Sequence, residues 1–203
     1  MQVVKSDEGG LDAAAGILLA GGVAVIPTDT VYGLAAHPSF PEAVERLYSI
    51  KGREAKKPIA LLAADAESVE RFGYAVPGEA RSLLGFWPGA LTLVLPRSSA
   101  EGFRLMASDP MPPSLGPSEG FRVPAHDWTR SLLARCGGLL RVTSANLSGR
   151  RAATDAPAAL AEVGLSADIV VDDGISPGGV PSTVVRVLPS GGTEVLRRGA
   201  VDL

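Results

Sequence analysis

Short apolar runs alternate with amphipathic stretches along most of the chain, and this pattern predicts a mixed α/β fold. Apolar runs bounded by Gly, Pro or polar residues predict strands over 23–26, 58–63, 91–95, 121–123, 139–143, 168–171, 182–188 and 194–197. Apolar residues at helical spacing predict helices over 11–19, 41–51, 65–72, 77–86, 127–135 and 155–163. Because the helices and strands do not alternate strictly, we expect a mixed sheet rather than the parallel sheet of a Rossmann fold.

Local signals at the ends of these elements add detail. Residues 39–42, Ser-Phe-Pro-Glu, have the form of a capping box, and Asp127 is the expected N-cap of a later helix. Residues 189–192, Pro-Ser-Gly-Gly, join the last two apolar runs and predict a hairpin. Residues 98–120 are rich in Ser, Pro and Gly, and a loop of this length is typical of a lid or a mobile excursion.

Length, charge and cysteine content narrow the class of protein. The 203 residues, 46% of them apolar, can bury the core of one domain, and we predict a single domain over 1–203. The net charge of −3 gives no basic field for nucleic acid or an anionic membrane. Neither a signal peptide nor an apolar stretch near the ~20 residues of a membrane span is found. The single cysteine, Cys136, fits a reducing compartment, so we predict a cytoplasmic protein.

Two common nucleotide-binding signatures and a metal-ligand pattern are missing from the sequence. It contains neither a Gly-x-x-x-x-Gly-Lys phosphate loop nor a Gly-x-Gly-x-x-Gly turn. His37 and His126 are isolated and have no Cys partner, so the sequence offers no metal-ligand cluster. We interpret both histidines as solvated loop residues and Cys136, which has no base beside it, as a buried structural thiol.

Polar residues follow two of the predicted strands at the point where each strand ends. Pro-Thr-Asp-Thr-Val-Tyr-Gly-Leu at 27–34 follows the first of these strands, and Ser-Ala-Asn at 144–146 follows a later one. Open α/β sheets bind ligands at the carboxyl ends of their strands. Hydroxyl and amide groups there can bind phosphate or ribose oxygens, or they can cap the local backbone, and the sequence leaves both alternatives open. Ser182 has the same two interpretations.

A run of cations follows the second predicted helix. Its members are Arg46, Lys51, Arg53, Lys56 and Lys57. These cations either bind a polyphosphate or simply complement the dipole at a solvated helix terminus, and the sequence does not decide between the two. Two further arginines attract attention: Arg197 ends a predicted strand, and Arg122 lies inside one, where a buried charge needs a partner or a ligand.

Six ordered motifs between about Leu11 and Ala200 resemble those of the YrdC/TsaC family, the threonylcarbamoyl-AMP synthases. They are Pro-Thr-Asp-Thr-Val-Tyr-Gly-Leu at 27–34, Lys-x-Arg at 51–53, Arg-Val-Pro at 122–124, Ser-x-Asn at 144–146, Pro-Ser-Thr at 181–183 and Arg-x-Gly at 197–199. The resemblance implies a YrdC-like twisted mixed sheet flanked by helices, with a large concave substrate cavity. It also implies a nucleotidyltransferase that condenses L-threonine, bicarbonate or CO2 and ATP, with Mg²⁺, into threonylcarbamoyl-AMP and pyrophosphate. This would be the first step of threonylcarbamoylation of a tRNA adenosine, and a separate transferase machinery would complete it.

The resemblance further implies a role for each motif residue. The expected catalytic residues are Lys51, Arg53, Ser144 and Asn146. The expected ATP-binding residues are Arg53, Lys57, Ser118, Ser144, Asn146 and Arg197. The expected threonine-binding residues are Thr30, Arg122 and Ser182, with Arg122 pairing the carboxylate. No protein ligand of a metal is implied, because Mg²⁺ would arrive with ATP.

The sequence departs from the family pattern in several places. Ala90 replaces the second Pro of the usual Pro-Gly-Pro-Leu-Thr, and Ile-Ala-Leu-Leu at 59–62 lacks a His that some relatives place against threonine. Ser118 stands where relatives carry a hydroxyl before Arg-Val-Pro. The chain stops soon after Arg-x-Gly, so we expect no additional C-terminal domain.

Two alternatives to the synthase stay open at this point. One is a YrdC-like paralogue with another carbamoyl-adenylate chemistry. The other is a module that binds tRNA or double-stranded RNA in a cavity lined by cations, although the acidic net charge and scarce aromatic residues argue against it. The cations in question are Arg46, Lys51, Arg53, Lys56, Lys57, Arg150 and Arg151.

Overall fold

The computed structural model describes residues 1–52, 58–97, 115–188, 190 and 192–203. The strands are β1 Gln2–Lys5, β2 Val23–Ile26, β3 Gly33–Ala36, β4 Leu61–Ala63, β5 Leu91–Pro96, β6 Ser118–Arg122, β7 Leu139–Ser144, β8 Ile169–Asp172, β9 Thr183–Val187 and β10 Thr193–Arg197. The helices are α1 Glu8–Leu19, α2 Pro41–Lys51, α3 Ala66–Arg71, α4 Asp127–Arg135 and α5 Ala156–Glu162, with 3₁₀ helices at Gly78–Phe86 and Gly164–Ser166.

Ten strands of the described chain form a single sheet in the order β1-β8-β2-β3-β7-β4-β6-β5-β9-β10. The pairs β1/β8, β2/β8, β4/β6 and β5/β9 are parallel. The pairs β2/β3, β3/β7, β4/β7, β5/β6 and β9/β10 are antiparallel. The mixed α/β sheet and the final hairpin predicted from the sequence are therefore confirmed.

Helices cover both faces of the sheet around β2. Because successive side chains of a strand point to opposite faces, every residue of β2 is buried and apolar. Ala24 and Ile26 pack into one core cluster with residues of α1 and α4. Val23 and Val25 face the other way, into a second cluster with residues of α2 and α5. All four side chains are fully buried.

A third core cluster packs against one face of β4, β5, β6 and β9, and the opposite face of these strands borders a cavity. In β5, Leu91, Leu93 and Leu95 point into this cluster and are fully buried. Thr92 and Val94 alternate with them and line a cavity on the other face. The same alternation in a single strand thus fixes the core on one side and the cavity on the other.

Two strands were not predicted, and each has a physical reason. β3 consists of Gly-Leu-Ala-Ala, a segment too short, and with side chains too small, to show a hydrophobic period. It nevertheless forms a strand because it pairs with β2 on one side and β7 on the other. A Cβ on Gly33 would lie 2.5 Å from Cγ1 of Val142, so only glycine allows this close approach. β1 is a largely exposed edge strand without an apolar face.

Several local predictions were wrong. The N-cap of α2 is Phe40 and makes no side-chain capping bond, because Pro41 begins the helix, so residues 39–42 are not a capping box. The N-cap of α4 is His126 rather than Asp127. The helix predicted over 77–86 is a 3₁₀ helix, Gly78–Phe86. Residues 118–120 belong to β6 rather than to a loop, and residues 98–114 of the predicted lid lie outside the described residues.

Both histidines are structural and half-buried, which corrects their interpretation as solvated loop residues. His37 contacts the carbonyl oxygen of Cys136 through Nε2 at 3.1 Å, and burial lowers the pKa of its imidazole. His126 pairs with Asp173 through Nε2 at 2.9 Å, while its Nδ1 accepts from the backbone N–H of Thr129.

In the described part of the chain, no helix is long and apolar enough to cross a membrane.

A buried ion pair joins β6 and β7 across the sheet. The guanidinium of Arg141 donates to both carboxylate oxygens of Glu119 at 2.6 and 2.8 Å, and also to the carbonyl oxygen of Ile59 at 2.7 Å. The same carboxylate accepts from the backbone N–H of Gly116 at 2.8 Å. Both side chains are less than a tenth exposed. The pair therefore anchors the chain before β4 and before β6 to one strand.

Removing one partner of this ion pair should destabilise the folded protein. We expect Glu119→Ala to lower the free energy of unfolding by about 3–5 kcal/mol, because it removes the carboxylate to which both terminal nitrogens of the buried Arg141 donate. Urea denaturation measures this value. The control Glu45→Ala removes an exposed helical carboxylate and should change stability by no more than about 0.5 kcal/mol. Equal effects of the two substitutions would contradict the assigned role.

Cys136 is buried, as predicted, and its thiol should be unreactive in the folded protein. Its side chain is 1% exposed, and burial raises the pKa of the thiol to about 11. At pH 8 the reactive thiolate fraction should then be about a hundredfold lower than for an ordinary cysteine, and access adds a further barrier. Labelling with Ellman's reagent should be slow in buffer and fast in denaturant. Similar rates in both would show that the thiol is accessible in the fold.

Candidate active site

A cavity of about 350 Å³ lies on the face of the sheet opposite the third core cluster. Its walls come from the β2–β3 loop and from β4, β5, β6, β7, β9 and β10. Six of the residues predicted for the site line this cavity, namely Thr30, Ser118, Arg122, Ser144, Ser182 and Arg197. The volume is in the range of small-molecule sites, which is about 300–1,000 Å³. Segments far apart in the sequence therefore converge on one binding-sized space.

The β2–β3 loop is a rigid turn built around Thr28. The Thr28 hydroxyl donates to the carbonyl oxygen of Val31 at 2.7 Å and accepts from the backbone N–H of Thr30 at 3.1 Å. Thr28 and Thr30 are both buried, and their hydroxyl oxygens are 3.0 Å apart. The loop thus presents the Thr30 side chain to the cavity in a fixed position.

Arg122 is the buried charge of the site, and three protein groups hold it. Its Nε donates to the carbonyl oxygen of Gly89 at 2.8 Å, and one terminal nitrogen donates to the Thr30 hydroxyl at 2.7 Å. The other terminal nitrogen forms an ion pair with Asp29. Burial lowers the pKa of Arg122, and the neighbouring Asp29 carboxylate partly opposes this effect. A buried charge at Arg122 was expected to need a partner or a ligand, and the structure shows that Asp29 is its ion-pair partner.

A Gly-rich turn at 173–179 holds the β2–β3 loop from outside. The backbone N–H groups of Gly178 and Gly179 donate to the carbonyl oxygens of Asp29 and Thr30 at 3.0 and 2.8 Å. The Tyr32 hydroxyl donates to the carbonyl oxygen of Gly174 at 2.8 Å, and burial raises the pKa of this phenol. Sequence reasoning did not assign the turn a role in the site.

Lys51 and Asn146 support the cavity rather than line it. Lys51 is 3% exposed, and its ammonium donates to the carbonyl oxygen of Asn146 at 2.7 Å and to that of Ser144. The Asn146 side chain donates to the carbonyl oxygens of Leu147 and Arg150, both at 2.8 Å. Of the two interpretations left open for Asn146, these contacts match capping of the local backbone. Arg53, Lys56 and Lys57 lie outside the described residues.

Ser182 and Arg197 meet at the β9–β10 side of the cavity. Arg197 donates from a terminal nitrogen to the carbonyl oxygen of Ser182 at 2.6 Å. The Ser182 hydroxyl lies 2.8 Å from that of Thr92, which also lines the cavity. Thr92 received no role from the sequence, although a threonine alternating with the buried leucines of β5 was a signal that it faces a different environment.

Ser118 opens β6 at the cavity wall and is exposed. Residues 116–120 read Gly-Pro-Ser-Glu-Gly, which matches the Gly-x-Ser-x-Gly pattern of a hydrolase nucleophile. That pattern requires a sharp turn from a strand into a helix, whereas Ser118 begins a strand here. The structure therefore gives no support to a serine hydrolase.

The residues that the structure describes give no support to the cation-lined RNA cavity considered as an alternative. Arg46 is paired with Asp168 at 2.9 Å, and Arg150 with Glu162 at 3.1 Å. Neither of these two arginines, nor Lys51 or Arg151, lines the cavity.

In the described ranges no group of three or more His, Cys, Asp or Glu residues could hold a metal ion.

These observations define an α/β protein with a small-molecule cavity built from strand-end hydroxyls and a buried guanidinium. The family model covering Sua5, YciO and YrdC, described as telomere recombination, matches residues 16–199. The chain therefore belongs to the Sua5/YciO/YrdC family, and the family predicted from the motifs is confirmed.

Individual relatives agree with this assignment. A threonylcarbamoyl-AMP synthase of Pyrococcus abyssi is 33% identical over 200 residues, which are 98% of this chain and 56% of that protein. The crystal structure of P. abyssi Sua5 complexed with L-threonine superposes with a TM-score of 0.82 at 32% identity, over 98% of this chain and 57% of that chain. E. coli YciO, with a TM-score of 0.80 at 23% identity over 99% and 96% of the two chains, shares the fold. The chain thus spans a little over half of the P. abyssi proteins.

The contact between the Gly-rich turn and the β2–β3 loop predicts that Gly178 cannot be enlarged. A Cβ at this position would lie 2.6 Å from the backbone oxygen of Asp29. We expect Gly178→Ala to lower the free energy of unfolding by about 1–3 kcal/mol through overpacking against the backbone. Gly16→Ala is the control, since a Cβ there meets no atom within 4 Å. Urea denaturation that finds the two variants equally stable would refute this close contact.

Proposed function

We propose that this chain is a threonylcarbamoyl-AMP synthase, which joins L-threonine, bicarbonate or CO2 and ATP into threonylcarbamoyl-AMP and pyrophosphate. The observation that carries the proposal is the buried Arg122, which lies beside the hydroxyl of Thr30 at the wall of the cavity. The name of the P. abyssi synthase and the threonine complex of P. abyssi Sua5 support the same substrate. The product would feed threonylcarbamoylation of tRNA in the cytoplasm, through a separate transferase machinery.

Arg122 has the donors that a substrate carboxylate needs. A guanidinium carries five N–H groups, and three of them are used by Gly89, Thr30 and Asp29. The remaining two belong to the terminal nitrogens and can donate to the carboxylate oxygens of threonine. Because Asp29 already neutralises much of the charge, this site selects its ligand by hydrogen-bond geometry as well as by charge. Thr30 and Ser182 would complete the threonine site.

The nucleotide would occupy the remaining part of the cavity. Ser144, Ser118 and Arg197 lie on its walls and can contact the phosphate and ribose of ATP. Lys51 and Asn146 would act by holding the 144–146 segment in place, and Arg53 and Lys57 stay the predicted ligands of the triphosphate. Mg²⁺ would enter with ATP, bound to its phosphate oxygens, and would balance the charge of the leaving pyrophosphate.

The reaction needs alignment more than covalent help from the protein. The amine of threonine adds to CO2 to form a carbamate and releases a proton. A carbamate oxygen then attacks the α-phosphorus of ATP, and pyrophosphate leaves with the bonding electrons. Holding both reactants in one cavity makes this attack effectively intramolecular. That residues 1–203 form a single domain stays a prediction.

Pyrophosphate release tests the proposed reaction directly. The assay contains ATP and Mg²⁺, with L-threonine and bicarbonate omitted in turn. We expect release only when both are present. Release that is indifferent to threonine would favour a paralogue with another carbamoyl-adenylate chemistry. No release under any condition would contradict the synthase proposal.

Arg122→Lys tests the carboxylate site within that reaction. Lysine keeps the charge but lacks the planar fork, so we expect the KM for L-threonine to rise at least about tenfold, with the KM for ATP changed by less than about threefold. Arg186→Lys is the matched control, because Arg186 is an exposed strand arginine paired with Glu194. An equal change in both KM values would contradict the assignment of Arg122 to threonine.

A further inference from the structure

Thr92 and Ser182 form a hydroxyl pair in the wall of the cavity. Their oxygens are 2.8 Å apart, both residues line the cavity, and they are only 4% and 7% exposed. Thr92 lies on β5 and Ser182 directly precedes β9, and these two strands are parallel neighbours. The pair therefore links the two strands at the point where the cavity borders both of them.

The direction of the Thr92 side chain is fixed by its neighbours. On the β6 side, the Thr92 methyl carbon lies 3.5 Å from the position that a Cβ of Gly120 would take. On the β9 side, its oxygen meets Ser182. Since the two branches of the threonine face opposite strands, rotation would exchange a packed methyl for a hydroxyl, and the observed orientation is strongly preferred.

Counting protons shows that one donor is left over. The two hydroxyls carry two protons, and the bond between them uses one. Arg197 donates to the Ser182 oxygen at 3.2 Å and so accepts nothing. Within the described ranges, neither hydroxyl makes any other hydrogen bond. Whichever oxygen donates inside the pair, the second proton therefore has no protein acceptor, and the cavity is where an acceptor can be bound.

The leftover donor and the guanidinium of Arg122 border the same cavity. Leu93 pairs with Phe121 in the antiparallel register of β5 and β6, so the next pair brings Thr92 opposite Arg122. A ligand group that accepts from both would need two acceptor oxygens or one oxygen with two lone pairs. A carboxylate has this chemistry, and a charged acceptor strengthens each bond that it receives.

We infer that Thr92 is a positioning residue of the amino-acid site, where it holds Ser182 so that the pair donates one hydroxyl proton to a carboxylate oxygen of the substrate. This inference rests on the proposed function for the identity of the substrate. It adds a residue on β5 to a site otherwise made by β6, β9 and the β2–β3 loop. The pair and Arg122 then approach the carboxylate from adjacent strands.

Direct binding of L-threonine, measured by equilibrium dialysis with the full chain and no ATP, tests this inference separately from turnover. We expect Thr92→Val to weaken binding by about tenfold, since it removes the hydroxyl and retains the shape. Thr92→Ser retains the hydroxyl and should bind within about threefold of the original chain. Thr193→Val, the same substitution at an exposed strand position outside the cavity, is the matched control.

Two further results separate pairing from general damage. If the hydroxyls act as one unit, Ser182→Ala combined with Thr92→Val should bind no more weakly than either single variant. Thr92→Ala serves as a second hydroxyl-free variant if Thr92→Val does not fold. Unchanged affinity in the hydroxyl-free variants, or no binding by the original chain, would overturn the inference. The chain could bind threonine in a way that depends on Thr92 and yet release no pyrophosphate. That result would support the inference about Thr92 and overturn the proposed synthase activity.

Discussion

The burial of one guanidinium organises the candidate site. Placing Arg122 inside the sheet removes its charge from water, and this is tolerated only when the group is paired and hydrogen-bonded. The three partners come from two segments: Gly89 lies before β5, and Asp29 and Thr30 lie on the β2–β3 loop. Satisfying one buried charge therefore brings these segments together, and the cavity wall forms as a consequence.

The partners of Arg122 are themselves held by a second set of contacts. The carbonyl oxygens of Asp29 and Thr30 accept from the Gly-rich turn, and Tyr32 bonds to the same turn through its hydroxyl. Since Gly178 approaches the loop too closely for any side chain, this contact is made by backbone alone. The site is thus supported in two layers, and a change in the outer layer reaches the guanidinium only by moving the loop.

The sequence predicted most of the helices and strands and six of the residues that line the cavity, because both depend on local patterns. Apolar runs mark strands such as β2, and strand-end polar motifs mark residues such as Thr30 and Ser144 that line the cavity. What failed depends on distant partners. β3 has no apolar period of its own and exists because two neighbouring strands enclose it. The pairing of Arg46 was not predicted because nothing in its local sequence points to Asp168, its partner far along the chain.

Lys51 links the end of α2 to the 144–146 segment through buried contacts. The left-handed Gly52 ends α2 and directs the chain away from the helix, while the Lys51 ammonium stays buried on the 144–146 segment. A buried ammonium is stable only while oxygens surround it, so the helix end and that segment must move together. The C-terminal end of α2 is therefore coupled to Ser144 at the cavity wall. Fixing this segment keeps the Ser144 side chain in place at the wall, and a cavity that aligns its ligands depends on such fixed positions.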